Sequence, residues 1–209
     1  ATAGMDSIIT DSANAASAFA TGHKSAVNAM GVYADRTADP FDDPKVETLA
    51  SLVARRNKMA VGIVTNTEIE DATPAAMIAH TRRRAAYDEI VKQFYAVQPA
   101  VLMGGGLANF LAKGTPGAKR ADDTDYVAKF REAGYRYAGT AQELNAASAD
   151  PSASKLLGLF ALGNMDGVLD RKFLKGGSVK KFPDQPDLTD QVKAALTVLS
   201  RNDNGFFLM

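Results

Sequence analysis

Short apolar runs alternate with amphipathic stretches along the whole chain, and this alternation limits the fold more than any other feature. The apolar runs predict strands, whereas apolar residues three and four positions apart predict helices. Strands that alternate with helices favour a mostly parallel sheet flanked by helices on both faces, so the sequence predicts an α/β fold. The predicted strands are 8–9, 59–65, 100–103, 135–137, 156–161 and 205–209.

The stretches between these runs predict helices with recognisable ends. Thr73 and Pro74 suit the cap and the first position of a helix, and Gly134 and Asp187 suit a helix end and a helix start. Residues 163–186 lack a period and predict a long irregular excursion. The length fits a single α/β domain over residues 1–209. The other predicted helices open at Ser12 or cover 46–56, 84–97, 126–133, 140–147 and 187–201.

The composition excludes several classes of function. The 24 basic and 24 acidic residues balance, so bulk charge does not favour nucleic acid or an anionic membrane. The absence of cysteine excludes disulfides, thiolate metal sites and cysteine nucleophiles. No apolar run approaches the roughly 18 residues of a membrane span, and no stretch has the pattern of a signal peptide. With only two histidines, this chain alone cannot build a histidine-rich metal centre.

Thr10, Asp11 and Ser12 follow the predicted strand 8–9 and precede a run of small residues. The first turn of a helix has unpaired N–H groups and a positive dipole end, which can hold an anion beside the serine hydroxyl. Asp11 and Ser12 are also residue types typical of a helix N-cap. The local pattern leaves both interpretations open.

A second polar segment follows the strand predicted over 59–65. Its carboxylates, Glu68, Glu70 and Asp71, and the hydroxyl of Thr73 are oxygen ligands of the kind that suit Mg²⁺. The alternative is a solvated loop that ends in a helix cap.

Three further features are weaker signals. Residues 82–84 are all arginine and suit either a phosphate-binding fork or a solvated, ion-paired face. Residues 104–106 are all glycine and suggest a phosphate loop, but they lack the spacing of known phosphate-binding motifs. His80 follows an apolar stretch and predicts a structural hydrogen bond, and His23 predicts a surface position.

Several blocks in unbroken order give the chain a family resemblance. Residues 10–13 (TDSA), followed by 20–22 (ATG) and 31–32 (GV), resemble the nucleophile segment of the bacterial alkaline phosphatases. Residues 71–76 (DATPAA), continuing to Arg84, resemble the next signature block. Weaker blocks that also fit are 101–106, 157–160 and 204–209.

This resemblance implies a role for each matching residue. Ser12 is the implied nucleophile, which becomes a phosphoserine, and Asp11 orients the arginine. Arg84, thirteen positions beyond Asp71, clamps two phosphate oxygens. Thr73 and Asp71 are implied at the magnesium site, and Ser12 also contacts zinc. The implied reaction is metal-assisted hydrolysis of phosphate monoesters with two zinc ions and one magnesium ion.

The chain departs from the family at its metal ligands. The family's aspartate ligand before the nucleophile, and the glutamate, aspartates and histidines that follow the strand ending at Met209, have no counterparts here. Neither His23 nor His80 falls on a zinc-ligand position. We therefore expect an internal fragment of such an enzyme with an incomplete core, negligible turnover by itself, and a periplasmic or secreted, homodimeric parent.

Two alternatives differ from this hypothesis. The chain could belong to another enzyme of the superfamily, such as a sulfatase or a phosphomutase, although the missing cysteine disfavours a cysteine-derived sulfatase nucleophile. It could also be a non-catalytic module that holds a nucleotide or phosphate at the Ser12 helix and the glycines 104–106.

Overall fold

The computed structural model describes residues 3–35, 37–175 and 177–209. The chain divides into two compact units. The first unit comprises Ala1–Met59 and Glu70–Gln98, and the second comprises Ala60–Ile69 and Pro99–Met209. That both units belong to one α/β domain over residues 1–209 stays a prediction.

Along the described residues, each strand is separated from the next by at least one helix, as the sequence predicts. The helices are α1 (Ser12–Thr21), α2 (Leu49–Asn57), α3 (Ala72–Ala75), α4 (Tyr87–Val97), α5 (Tyr126–Glu132), α6 (Ala141–Ala149) and α7 (Leu188–Leu199). The strands are β1 (Ala60–Glu68), β2 (Val101–Gly105), β3 (Arg136–Ala138), β4 (Leu156–Leu159) and β5 (Phe206–Leu208). None of the helices in the described part of the chain is long and apolar enough to cross a membrane.

The second unit contains the sheet, with strand order β3-β4-β2-β1-β5 and every pairing parallel. Four successive residues of β1 and all residues of β2 and β4 are buried. Because successive side chains of a strand point to opposite faces, this burial means that both faces of the sheet are covered. The predicted α/β class with a mostly parallel sheet is confirmed.

The strand predicted over residues 8–9 is wrong. Ile8 and Ile9 lie in bends, with 86% and 73% of their surface exposed. A strand needs a neighbour to pair its backbone groups, and the described residues of the first unit form only the isolated bridges Met30–Thr81 and Val32–Lys45. Two adjacent isoleucines are therefore a poor strand signal here.

Three predicted helix starts are also corrected. Thr48 caps α2 by accepting a hydrogen bond from the backbone N–H of Ser51, so this helix begins after residue 46. The cap of α3 is Asp71, whose carbonyl oxygen accepts from Ala75, and Thr73 is the second residue of that helix. α4 begins at Tyr87 rather than at residue 84.

The segment 163–186 contains two short helical turns, Asp170–Leu174 and Gly177–Lys180, and no strand among its described residues. Gly176, which falls in the predicted excursion, lies outside the described residues.

Candidate functional site

The start of α1 positions Ser12 through a reciprocal cap. Asp11 Oδ1 accepts from the backbone N–H of Asn14 at 3.1 Å, and Asn14 Oδ1 accepts from the backbone N–H of Asp11 at 3.0 Å. Asp11 is therefore the N-cap, and Ser12 is the first helical residue, with its hydroxyl outside the capping box. The sequence left open whether this segment supplies a helix cap or presents a hydroxyl at a helix start. In the structure Asp11 supplies the cap, and the adjacent Ser12 presents the hydroxyl.

Small residues let α1 pack closely within the first unit. Ala13, Ala16 and Ala20 are buried, and α1 contacts α3. The helix ends at Gly22, whose φ of 75° is the left-handed conformation typical of a helix C-terminus. These contacts fix the direction of the first turn, where Ser12 lies.

Arg84 joins the predicted site residues. Its Nη1 donates to Asp11 Oδ2 at 3.0 Å and to Ser12 Oγ at 2.6 Å, and its Nη2 donates to Asp71 Oδ1 at 2.7 Å. All these residues belong to the first unit. The structure thus brings Asp11, Ser12, Asp71 and Arg84 together from positions far apart in the sequence.

Asn28 supports this cluster and was missed by sequence reasoning. Its backbone N–H donates to Asp11 Oδ1 at 3.3 Å, and its carbonyl oxygen accepts from the backbone N–H of Arg84 at 2.9 Å. The residue has a φ of 66°, which asparagine tolerates better than most residues. An asparagine in a polar loop was the only available signal, and it does not identify such a role.

The hydrogen bonds of the cluster favour its charged forms. Burial disfavours ionisation of Asp11, but bonds from the Asn14 N–H, the Arg84 guanidinium and the Asn28 N–H outweigh it, so the pKa of Asp11 is lowered. Burial also opposes the charge on Arg84, and its bonds to Asp71 and Asp11 prevail, so the pKa of Arg84 is raised. With two carboxylates and one guanidinium, the cluster carries one net negative charge.

The predicted magnesium residues have different surroundings. Asp71 is half-buried and contacts Arg84, whereas Thr73 is exposed in the first turn of α3, two residues further on. Glu70 is fully buried, and Glu68 lies in the second unit, where Lys119 Nζ is 3.5 Å from its Oε1. Of the three carboxylates, only that of Asp71 has a described contact with the Ser12 cluster.

The histidines have other partners. His80 Nδ1 is 2.8 Å from the carbonyl oxygen of Gly31, which is the structural hydrogen bond predicted for it. Burial lowers the pKa of His80. His23 is exposed, as predicted, and its Nδ1 is 2.8 Å from Tyr33 Oη.

The three consecutive arginines separate into different roles. Arg82 donates to the carbonyl oxygens of Asp35 and Asp39 and forms an ion pair with Asp35. Arg83 is exposed. Of the three, only Arg84 has described contacts with Asp11, Ser12 and Asp71.

The glycine run is a packing feature rather than a loop. Gly104 and Gly105 are the last residues of β2, and only Gly106 has a left-handed φ, of 94°. A Cβ atom at Gly105 would lie 1.9 Å from the carbonyl oxygen of Gly163. Close approach of two backbones accounts for glycine at this position.

Gly105→Ala is expected to destabilise the protein by about 3 kcal/mol, because the new methyl group collides with a backbone carbonyl that cannot move independently. Urea unfolding measures the effect. The matched control is Gly139→Ala, where the nearest atom is the end of the Tyr137 side chain at 3.1 Å and a loss within about 1 kcal/mol is expected. Equal free energies of unfolding for the two variants would contradict this account.

The sequence and the structure were compared with those of known proteins. The family model described as alkaline phosphatase matches residues 1–209. Alkaline phosphatase H of Pseudomonas aeruginosa is 31% identical over 98% of this chain and 48% of its own length. The crystal structure of Thermus thermophilus alkaline phosphatase is 29% identical, with a TM-score of 0.80, over 99% of this chain and 39% of that one.

A variant of the TAB5 alkaline phosphatase of an Antarctic bacterium, solved with magnesium bound, is 27% identical with a TM-score of 0.74. It matches over 99% of this chain and 51% of its own chain. The present chain thus spans about half the length of these relatives or less.

Proposed function

Because the chain belongs to the alkaline phosphatase family, we propose that the protein hydrolyses phosphate monoesters with Ser12 as the nucleophile. The observation that carries this proposal is the contact of Arg84 Nη1 with Ser12 Oγ at 2.6 Å, which places a hydroxyl beside a guanidinium. A guanidinium matches phosphate oxygens bidentately, and a nearby hydroxyl can then reach the phosphorus.

In the proposed reaction, Ser12 Oγ attacks the phosphorus, and the bond from phosphorus to the leaving oxygen breaks. The serine proton passes to water, and water returns a proton to the leaving oxygen, which departs as the alcohol. Water then attacks the resulting phosphoserine, releases inorganic phosphate and restores the serine hydroxyl. Arg84 uses three of its five N–H bonds on Asp11, Ser12 and Asp71, which leaves others to bind phosphate oxygens. Asp11 and Asp71 hold the guanidinium plane in position.

The charge balance supports a proposed role for cations. A phosphate dianion is repelled by the net negative charge of Asp11, Asp71 and Arg84, so its binding needs further positive charge. Asp71 and Thr73 offer the hard oxygen ligands that suit Mg²⁺. A metal ion held by these oxygens would supply positive charge, which would favour the deprotonated form of a hydroxyl and stabilise a leaving oxygen.

Zinc fits these residues less well. Near the cluster the described residues offer zinc carboxylate and hydroxyl oxygens but no imidazole, because the described contacts of His23 and His80 are with Tyr33 and Gly31. We therefore propose that this chain by itself has negligible turnover and that zinc ligation depends on residues outside it. A homodimer and a periplasmic or secreted location are proposed from the family resemblance alone.

The test uses the full-length protein, loaded with Zn²⁺ and Mg²⁺ and supplied with p-nitrophenyl phosphate. We expect steady turnover, and after an acid quench a phosphorylated peptide whose modified residue is Ser12. p-Nitrophenyl sulfate, supplied in parallel, should be the poorer substrate. Phosphate on another residue would reject Ser12 as the nucleophile, and faster cleavage of the sulfate ester would favour a sulfatase.

A further inference from the structure

A second group of oxygen ligands lies in the first unit, in the loop between α1 and α2. Asp35, Asp42 and Asp43 each present an oxygen atom, and these three atoms lie within 4.8 Å of one another. That separation is about twice a Ca²⁺–oxygen bond of ~2.4 Å, so the three atoms can bind one ion together. The arrangement comes from a short segment, and Asp35 and Asp42 are exposed.

The hydroxyl of Thr37 cannot donate to both of the carboxylates that it contacts, although Asp35 Oδ1 also accepts from the backbone N–H of Thr37 at 2.8 Å. Its Oγ1 lies 2.7 Å from Asp35 Oδ1 and 2.8 Å from Asp42 Oδ1. A hydroxyl has one proton, so it can donate to only one of these two oxygens at a time. The other contact brings an anionic oxygen against a lone pair at hydrogen-bond distance, which a cation between the oxygens would make favourable.

Asp43 provides an independent indication of a ligand. Its side chain is fully buried, and its Oδ2 has no hydrogen-bond partner, while Oδ1 accepts from the backbone N–H of Asp35 at 2.7 Å. A buried carboxylate oxygen without a partner is costly, because nothing replaces the water it has lost.

Arg82 neutralises this cluster only in part. Its guanidinium donates mainly to carbonyl oxygens, and its Nη1 is 3.3 Å from Asp35 Oδ1 and 3.8 Å from Asp43 Oδ1. Among the described residues, three carboxylates and one guanidinium leave two negative charges, which a divalent cation would balance.

From these observations we propose that Asp35, Asp42 and Asp43, with the Thr37 hydroxyl, form a Ca²⁺-binding site. Calcium accepts six to eight oxygen ligands in irregular geometry, which suits a half-exposed loop whose remaining ligands are water. Magnesium needs near-octahedral geometry and sheds water reluctantly, so this site should select calcium. The site uses none of Asp11, Ser12, Asp71, Thr73 or Arg84.

The test is calcium titration of the full-length holoprotein, in buffer with fixed Zn²⁺ and Mg²⁺, followed by calorimetry. Asp42→Asn is the test variant, because Asp42 is exposed and the change preserves the shape of the side chain. Asp39→Asn is the matched control, because Asp39 lies in the same loop and its carboxylate accepts from the backbone N–H of Phe41. Any calcium site elsewhere contributes equally to both variants.

We expect native protein and Asp39→Asn to bind Ca²⁺ with a Kd below about 1 mM, and Asp42→Asn to bind at least about tenfold more weakly. Thermal unfolding provides a second test, because the difference in Tm between Asp42→Asn and native protein should change sign when calcium is added. Without calcium, Asp42→Asn should raise the Tm because it relieves carboxylate repulsion, and with saturating calcium it should have a lower Tm than native protein. Equal affinities in the two variants, no calcium binding, or equally tight magnesium binding would overturn the proposal.

Discussion

Ser12→Ala is expected to lower kcat of the full-length protein on p-nitrophenyl phosphate by at least about 10³-fold, because the covalent route loses its nucleophile. The acid-quenched phosphopeptide should also disappear. Folding should be nearly unaffected, since Asp11 rather than Ser12 caps α1. Steady-state assays with saturating Zn²⁺ and Mg²⁺ measure the change in kcat, and urea unfolding measures the change in stability.

The control for this variant is Ser7→Ala, which removes another serine hydroxyl five residues earlier. The Ser7 hydroxyl accepts only a local hydrogen bond from Ile9 among its described contacts, so kcat should stay within about twofold of native. If Ser12→Ala retains more than a tenth of the native kcat, Ser12 is not the nucleophile.

Arg84→Lys is expected to reduce kcat/KM by about 10²-fold and to weaken inhibition by inorganic phosphate to a similar extent. Lysine keeps the charge but loses the planar fork, so it cannot contact Asp11, Ser12 and Asp71 together and still present two parallel donors to phosphate. Steady-state kinetics and the inhibition constant for phosphate measure the two losses.

Arg83→Lys is the matched control, because it makes the same chemical change at an exposed neighbour. Its kinetic constants should stay within about twofold of native. Equal losses in both variants would show that general basic charge, rather than the geometry of Arg84, binds phosphate.

The sheet could be predicted because its strands are buried on both faces. Continuous apolar runs such as 100–103 and 156–161 are a strong signal, and the glycine and aspartate at helix ends mark the boundaries. These signals are local, and they need no knowledge of which strands are neighbours. The order β3-β4-β2-β1-β5 depends on long-range pairing and could not be read from them.

Only part of the candidate site could be predicted from the sequence. Ser12, Asp71 and Arg84 were found through the resemblance of two sequence blocks, since each residue alone also fits a cap or a solvated position. The supporting Asn28 was missed because its contribution comes from two backbone groups, which carry no side-chain signature. The strand predicted at 8–9 was wrong because apolar residues form a buried strand only where the fold supplies a neighbouring strand.

The bond between Arg84 and Ser12 joins residues 72 positions apart. In folding terms it closes a long loop, and the entropy of that closure must be recovered from the packing of α1 and α3 and from the ion pairs with Asp11 and Asp71. No short segment of the chain can therefore contain all the residues of the candidate site. Partial unfolding of the first unit should abolish phosphate binding as a whole rather than weaken it by degrees.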